Sequence, residues 1–156
     1  MRLRTLGDRL SMLPTREEIE RAVLDATYAT FKPTVAQMLR RDAGRRALVI
    51  SLQRGAQESI NFPAPCDSDG VFPMVVQGHA VVAQDLHRSP VETHRHISRL
   101  GYRSLLVAPV LSASNCIGAI RILEREPRAF SEYERSLLAM IGVLTGLAMR
   151  NIASEA

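Results

Sequence analysis

Leu3, Leu6, Leu10 and Leu13 recur at alternating spacings of three and four, the apolar stripe of a short helix with Arg2, Arg4, Asp8 and Arg9 off it. Pro14 ends that pattern. Thr15-Arg16-Glu17-Glu18 then reads as a capping box, hydroxyl and carboxylate each satisfying an open amide, and predicts a helix to about Phe31. That helix buries Ile19, Ala22, Val23 and Ala26, and Lys32-Pro33 stops it. Residues 34–41 and 46–54 are strand-like and flank Asp42-Ala43-Gly44, a hairpin turn. Glycine, proline, serine and aspartate through 55–70 predict a surface loop, with 58–62 as a short edge strand inside it. Residues 71–77 read as a short helix closed by Gly78, and 79–84 as a strand.

Ser89-Pro90-Val91-Glu92 is a second capping box with proline at the first helical position, and its helix ends at Gly101. Residues 104–111 and 116–124 are apolar strands joined by Ser112-Ala113-Ser114-Asn115. Ser131-Glu132-Tyr133-Glu134 opens a last helix to about Ile152, with Tyr133, Leu137, Ile141, Leu144 and Ala148 along one face. Five or six strands, mostly joined as hairpins, with helices at both chain ends, predict an α/β (α+β) fold: a central antiparallel sheet with helices on its faces.

Composition narrows the picture. At 156 residues the chain fits one domain with a sizeable core. The net charge of +4 is carried by arginine, Lys32 being the only lysine, but the arginines are spread along the chain. No aromatics interleave with them as a stacking platform for nucleic acid would require, so solvated arginines are the expectation. No apolar run reaches the length of a membrane span, and Gly7, Asp8 and Arg9 interrupt any secretory signal; the expected location is cytoplasmic. Cys66 and Cys116, far apart and outside any CxxC motif, read as reduced thiols.

One long ordered pattern remains. Gly70 and Gly78 bracket Val71-Phe72-Pro73-Met74-Val75-Val76, and His79-Ala80-Val81-Val82-Ala83-Gln84 leads to Asp85. Gly101-Tyr102-Arg103-Ser104, Pro109, Ile117-Gly118-Ala119-Ile120 and Phe130-Ser131 follow. This order resembles the GAF domain, a small-molecule-sensing module of signalling proteins. The resemblance covers more than half the chain and implies a sheet with the N- and C-terminal helices packed on one face and a ligand-pocket segment, about residues 60–103, on the other. The leucine stripe up to Pro14 marks 1–14 as an N-terminal amphipathic extension, and the resemblance implies a single GAF-like domain over 15–156. It also implies a homodimer through the terminal helices, with ligand shifting those helices. No output domain follows Ala156, so signalling would pass through a separate partner or a longer protein. A pocketless domain used only for dimerisation, with Phe62, Phe72, Met74 and Ile97 filling the cavity, is the alternative.

All four histidines fall in the mapped pocket segment: His79, His87, His94 and His96. His94 shares a helical face with Val91 and Ile97 and is either a ligand contact or a satisfied wall residue. Arg103, beside Tyr102 and Ser104, offers a bidentate clamp for a carboxylate or phosphate; strand alternation sends Arg103 or Ser104 inward. Asp85 matches the recurrent aspartate of the family and caps a turn or touches ligand. Cys66 lies in the loop bordering the pocket, the one candidate for a redox enzyme of the free methionine sulfoxide reductase type, whose cysteine pattern is not reproduced. No other catalytic motif is present, and a non-catalytic domain is expected. The ligand and any cofactor stay unidentified. There is no CxxCH haem motif, no cysteine in the 89–100 helix for covalent bilin, and no asparagine-lysine-phenylalanine-aspartate-glutamate signature for cyclic nucleotides.

Overall fold

The computed structural model describes residues 2–42, 44, 47–55 and 75–155. The helices are α1 (Leu3–Leu10), α2 (Arg16–Phe31), α3 (Glu92–Arg99) and α4 (Glu132–Glu155), with a 3₁₀ turn at Leu86–Arg88. The strands are β1 (Val35–Asp42), β2 (Ala47–Gly55), β3 (Val81–Ala83), β4 (Ser104–Ser112) and β5 (Asn115–Glu124). They form one sheet in the order β2-β1-β5-β4-β3, and every pairing is antiparallel. The expected strand over 79–84 is only the three residues of β3, and the expected loop strand at 58–62 and most of the 71–77 helix lie outside the described residues.

The sheet buries both faces. Ala36, Met38, Leu106, Ala108, Val110, Ile120 and Ile122 point to one side and meet α1, α2 and α4. Val35, Leu39, Leu48, Leu105, Val107, Ala119 and Leu123 point to the other, where Val75, Leu86, Ile97 and Tyr102 come down from the covering segment. Period-two alternation separates the two sets, so β4 and β5, buried on both sides, read as nearly continuous apolar runs.

The leucine stripe of α1 is used inside this chain: Leu6 and Leu10 are buried in the same core as α2 and α4. Thr15 caps α2 through its hydroxyl, and Ser131 forms a full capping box at α4. The Glu18 amide donates to Thr15 Oγ1 at 3.2 Å, and Ser131 and Glu134 exchange both bonds at 3.0 Å. Helix α4 lies close on β4 because Gly142 and Gly146 face it. A Cβ at Gly146 would stand 1.8 Å from the Leu111 carbonyl oxygen and one at Gly142 2.3 Å from that of Pro109. Under the helices the carboxylate of Glu20, 3% exposed, is gripped by Arg40 at 2.7 and 3.0 Å.

Candidate functional site

The face opposite the helices is covered by the chain from Val75 to Arg103, and two attachments hold that cover down. At its first end, Asp85 leaves β3 and accepts from the His87 amide at 3.1 Å, capping the 3₁₀ turn. The Arg103 fork donates to the same carboxylate, Nε to Oδ1 at 3.1 Å and Nη2 to Oδ2 at 3.0 Å. The hydrogen bond from Arg103 holds the Asp85 carboxyl below its ordinary range, and Asp85 in turn raises the guanidinium. The Leu86 amide donates to the Arg103 carbonyl, and the Arg103 amide to that of Glu124, so this corner is stitched to β5 through backbone as well.

The second attachment is α3. Ser89 does not cap it as a box. Its hydroxyl accepts from the Val91 amide at 3.2 Å and shares a 2.8 Å hydrogen bond with His94 Nδ1. The helix therefore begins later, at Glu92, with Val91 as its N-cap. His94 is 5% exposed and Ile97 is buried beside the sheet. His96, one turn-face away, has its Nε2 buried with no hydrogen-bond partner among the described residues. Tyr102 is buried in the same apolar cluster, and the Arg125 guanidinium stacks over its ring at 5.0 Å.

The six residues singled out from sequence thus separate. His94 and Tyr102 stand on the covered face. Arg103 and Asp85 pair with each other at its rim. Ser104 is fully buried and donates through Oγ to the Glu126 carbonyl at 2.8 Å. Its even-numbered neighbours Leu106 and Ala108 belong to the helix-side core. Cys66 lies outside the described residues. Cys116 is buried, donates to the Gly118 carbonyl at 3.2 Å, and burial pushes its thiol above the ordinary value. Among the described residues no group of three His, Cys, Asp or Glu could hold a metal ion.

Sequence reading missed the polar groups that lie within this face. Gln37 and Arg121 are both buried, and Arg121 Nε donates to Gln37 Oε1 at 2.7 Å. Gln37 Nε2 donates to Gln53 Oε1 at 2.8 Å. The signal was an arginine between Ile120 and Ile122 and a glutamine between Ala36 and Met38, polar residues in otherwise apolar strands.

The five-stranded antiparallel sheet, with terminal helices on one face and a covering segment on the other, defines an α+β module. The GAF domain family model matches residues 17–149, and the chain belongs to that family. No curated protein matches it significantly. Among solved structures it is similar to the GAF domain of the cyanobacteriochrome TePixJ, with 17% identity, TM-score 0.80, and 93% of this chain and 95% of that one covered. The dark state of a far-red absorbing protein with bound biliverdin IXa is 12% identical at TM-score 0.81, over 97% and 98% of the two chains. The GAF domain of a phosphoenolpyruvate-protein phosphotransferase from Coxiella burnetii is 14% identical at TM-score 0.79, over 98% and 93%. At such identities the likeness is one of fold. Among the described residues no helix is long and apolar enough to cross a membrane.

Proposed function

We propose that this chain is a non-catalytic sensory domain that binds a small molecule between the sheet and the segment over it, about residues 60–103. The observation that carries the reading is the second sheet face. It is apolar, it is roofed by an attached segment rather than by the terminal helices, and it holds the buried polar side chains of His94, Gln37 and Arg121. An apolar concavity with a few convergent polar groups is what a small-molecule site needs. A structural relative carries biliverdin IXa, and this chain has no cysteine in 89–100 for covalent attachment of such a chromophore.

In this reading His94 and Tyr102 contact the ligand. Asp85, Arg103 and Ser104 hold the rim that positions them, and Cys66 belongs to the bordering loop. Binding biases the terminal helices of a cytoplasmic homodimer, and a separate protein reads the change. Residues 15–156 form the sensing domain, with α1 an added helix. A second reading, a pocketless interaction module, is favoured by one observation: Leu86, Ile97 and Tyr102 are already packed onto the sheet. Native mass spectrometry of protein purified from its own host, with a visible absorbance scan, separates the two. A retained mass or a coloured band is expected. A bare, colourless protein that gives no thermal shift with a metabolite panel would favour the interaction module.

A further inference from the structure

Helix α4 turns one exposed face away from the sheet. Tyr133, Ser136, Met140, Val143, Leu147 and Arg150 lie along it, all of them exposed. Their spacings alternate between three and four, the a and d places of a heptad. Beside the first half of this face runs a groove of about 260 Å³ lined by Leu3, Tyr133, Ser136, Leu137 and Met140. The four α4 residues among them stand at i, i+3, i+4 and i+7. That is the diamond which receives one side chain of a facing helix in knobs-into-holes packing. Ser136, the smallest of the four, leaves the room, and Leu3 of α1 supplies the remaining wall.

The hole suits an apolar side chain of about leucine size carried on a helix. The same face offers one in Leu147, 50% exposed. Leu147 lies about 16 Å along the axis from Ser136, so a rigid helix cannot bring it to its own hole. An inverted second copy can. A two-fold axis at the level between Met140 and Val143 sets Leu147 of each copy over Ser136 of the other, and both holes close at once.

Charge selects the same direction. Glu132 at the start of α4 and Arg150 near its end are both exposed and fall on one line of the helix by its period of about 3.6 residues. Inverted copies bring Arg150 of one beside Glu132 and the Tyr133 ring of the other, an ion pair and a cation–π contact at each end. Parallel copies in register would set Arg150 against Arg150 and hole against hole.

We propose that this chain forms an antiparallel homodimer across α4, in which Leu147 of each copy seats in the groove between α1 and α4 of the other. It rests on the homodimer of the proposed function and adds a direction, a register and the residue that each copy contributes.

The test is disulfide trapping in the full chain carrying Cys66→Ser, where the buried Cys116 is the remaining native thiol. Chains with Ser136→Cys and chains with Leu147→Cys, told apart by a mass tag, are mixed and oxidised. The mixed disulfide is expected. Neither chain should link to its own kind, because like positions then stand about 16 Å apart along the axis, beyond the roughly 7 Å that a disulfide spans between Cα atoms. Exchanging sizes gives a second readout by light scattering. Ser136→Leu fills the hole and Leu147→Ser removes the knob, and each should raise the dimer Kd by about tenfold or more. The double variant swaps knob and hole and should recover most of that loss. Both positions are exposed, so circular dichroism should show the fold intact. Like-with-like disulfides in place of the mixed one, or a double variant no better than the singles, overturn the antiparallel register and leave a homodimer standing. A dimer that forms neither disulfide overturns the proposal and moves the interface off this face. A chain that stays monomeric at millimolar concentration overturns the proposal and the homodimer together.

Discussion

Asp85 and Arg103 set each other's charge. The Asp85 carboxyl sits below its ordinary range because Arg103 donates to it, so this contribution to stability is present above roughly pH 4, the ordinary aspartate value, and fades as pH falls through the folded value. Asp85→Asn should therefore lower the urea midpoint at neutral pH, with the gap from wild type closing on acidification. A gap that stays constant with pH would contradict the assignment. Glu20 is a different case, because its carboxylate is buried. Arg40 holds it with two nitrogens and Ser51 lies at 3.3 Å. Arg16 also lies 3.6 Å from the carboxylate, so Arg40→Met removes the main partner but not every one and should cost about 1–2 kcal/mol in urea unfolding, whereas Arg40→Met with Glu20→Leu should recover most of the loss. At this scale the sequence was legible for apolar positions and poor for polar ones. Arg103 as a clamp could be read from type and place, but that Asp85, eighteen residues earlier, would fill the clamp depends on how the covering segment returns to the sheet. Gln37 and Arg121 stood in plain view as polar interruptions of apolar strands, and nothing in either strand alone brings them opposite each other.

The elements were legible wherever the signal is local. The Thr15 hydroxyl cap and the Ser131–Glu134 capping box form where the sequence places them. At Ser89 the buried imidazole of His94 takes the hydroxyl, and the helix start moves to Glu92. Asx and turn chemistry was likewise local: the Gly44 amide donates to Asp42 Oδ1 at 3.1 Å, as the hairpin turn required. Close approach between elements is not local. Helix propensity alone would make Gly146→Ala stabilising by about 1 kcal/mol. The added Cβ, however, would meet a backbone oxygen at 1.8 Å, where neither partner is a flexible side-chain end. Overpacking at about 1–3 kcal/mol outweighs propensity, so Gly146→Ala should lower the melting temperature, and Gly142→Ala should act in the same direction. A rise in melting temperature for either variant would mean that α4 stands off β4 more freely than the geometry implies.

For the whole molecule, an antiparallel sheet between terminal helices followed from hairpin-joined strands, but the order β2-β1-β5-β4-β3 did not. It joins β1 to β5 across most of the chain, a pairing that only the two-sided core selects. The same core decides which face of α4 is left over. Leu137, Leu138, Ile141 and Ala148 go inward, while Tyr133, Met140, Val143 and Leu147 remain outside, Tyr133 71% exposed and Leu147 50%. Tyr133, Met140 and Leu147 repeat at sevens and Val143 falls between, the spacing that a two-helix contact uses. The stripe continues into a groove of about 260 Å³ lined by Leu3, Tyr133, Leu137 and Met140, so α1 borders the same surface. In the proposed homodimer this seam is the interface. Val143→Glu with Leu147→Glu should then give a monomer by light scattering with the fold intact by circular dichroism, because both side chains already face water in the single chain. The same substitutions on the inward face, at Ile141 and Leu138, should unfold it. A dimer that survives the Val143 and Leu147 changes would move the interface elsewhere, and with it the route by which ligand on the far side of the sheet could bias α4, which packs directly on β4 and β5.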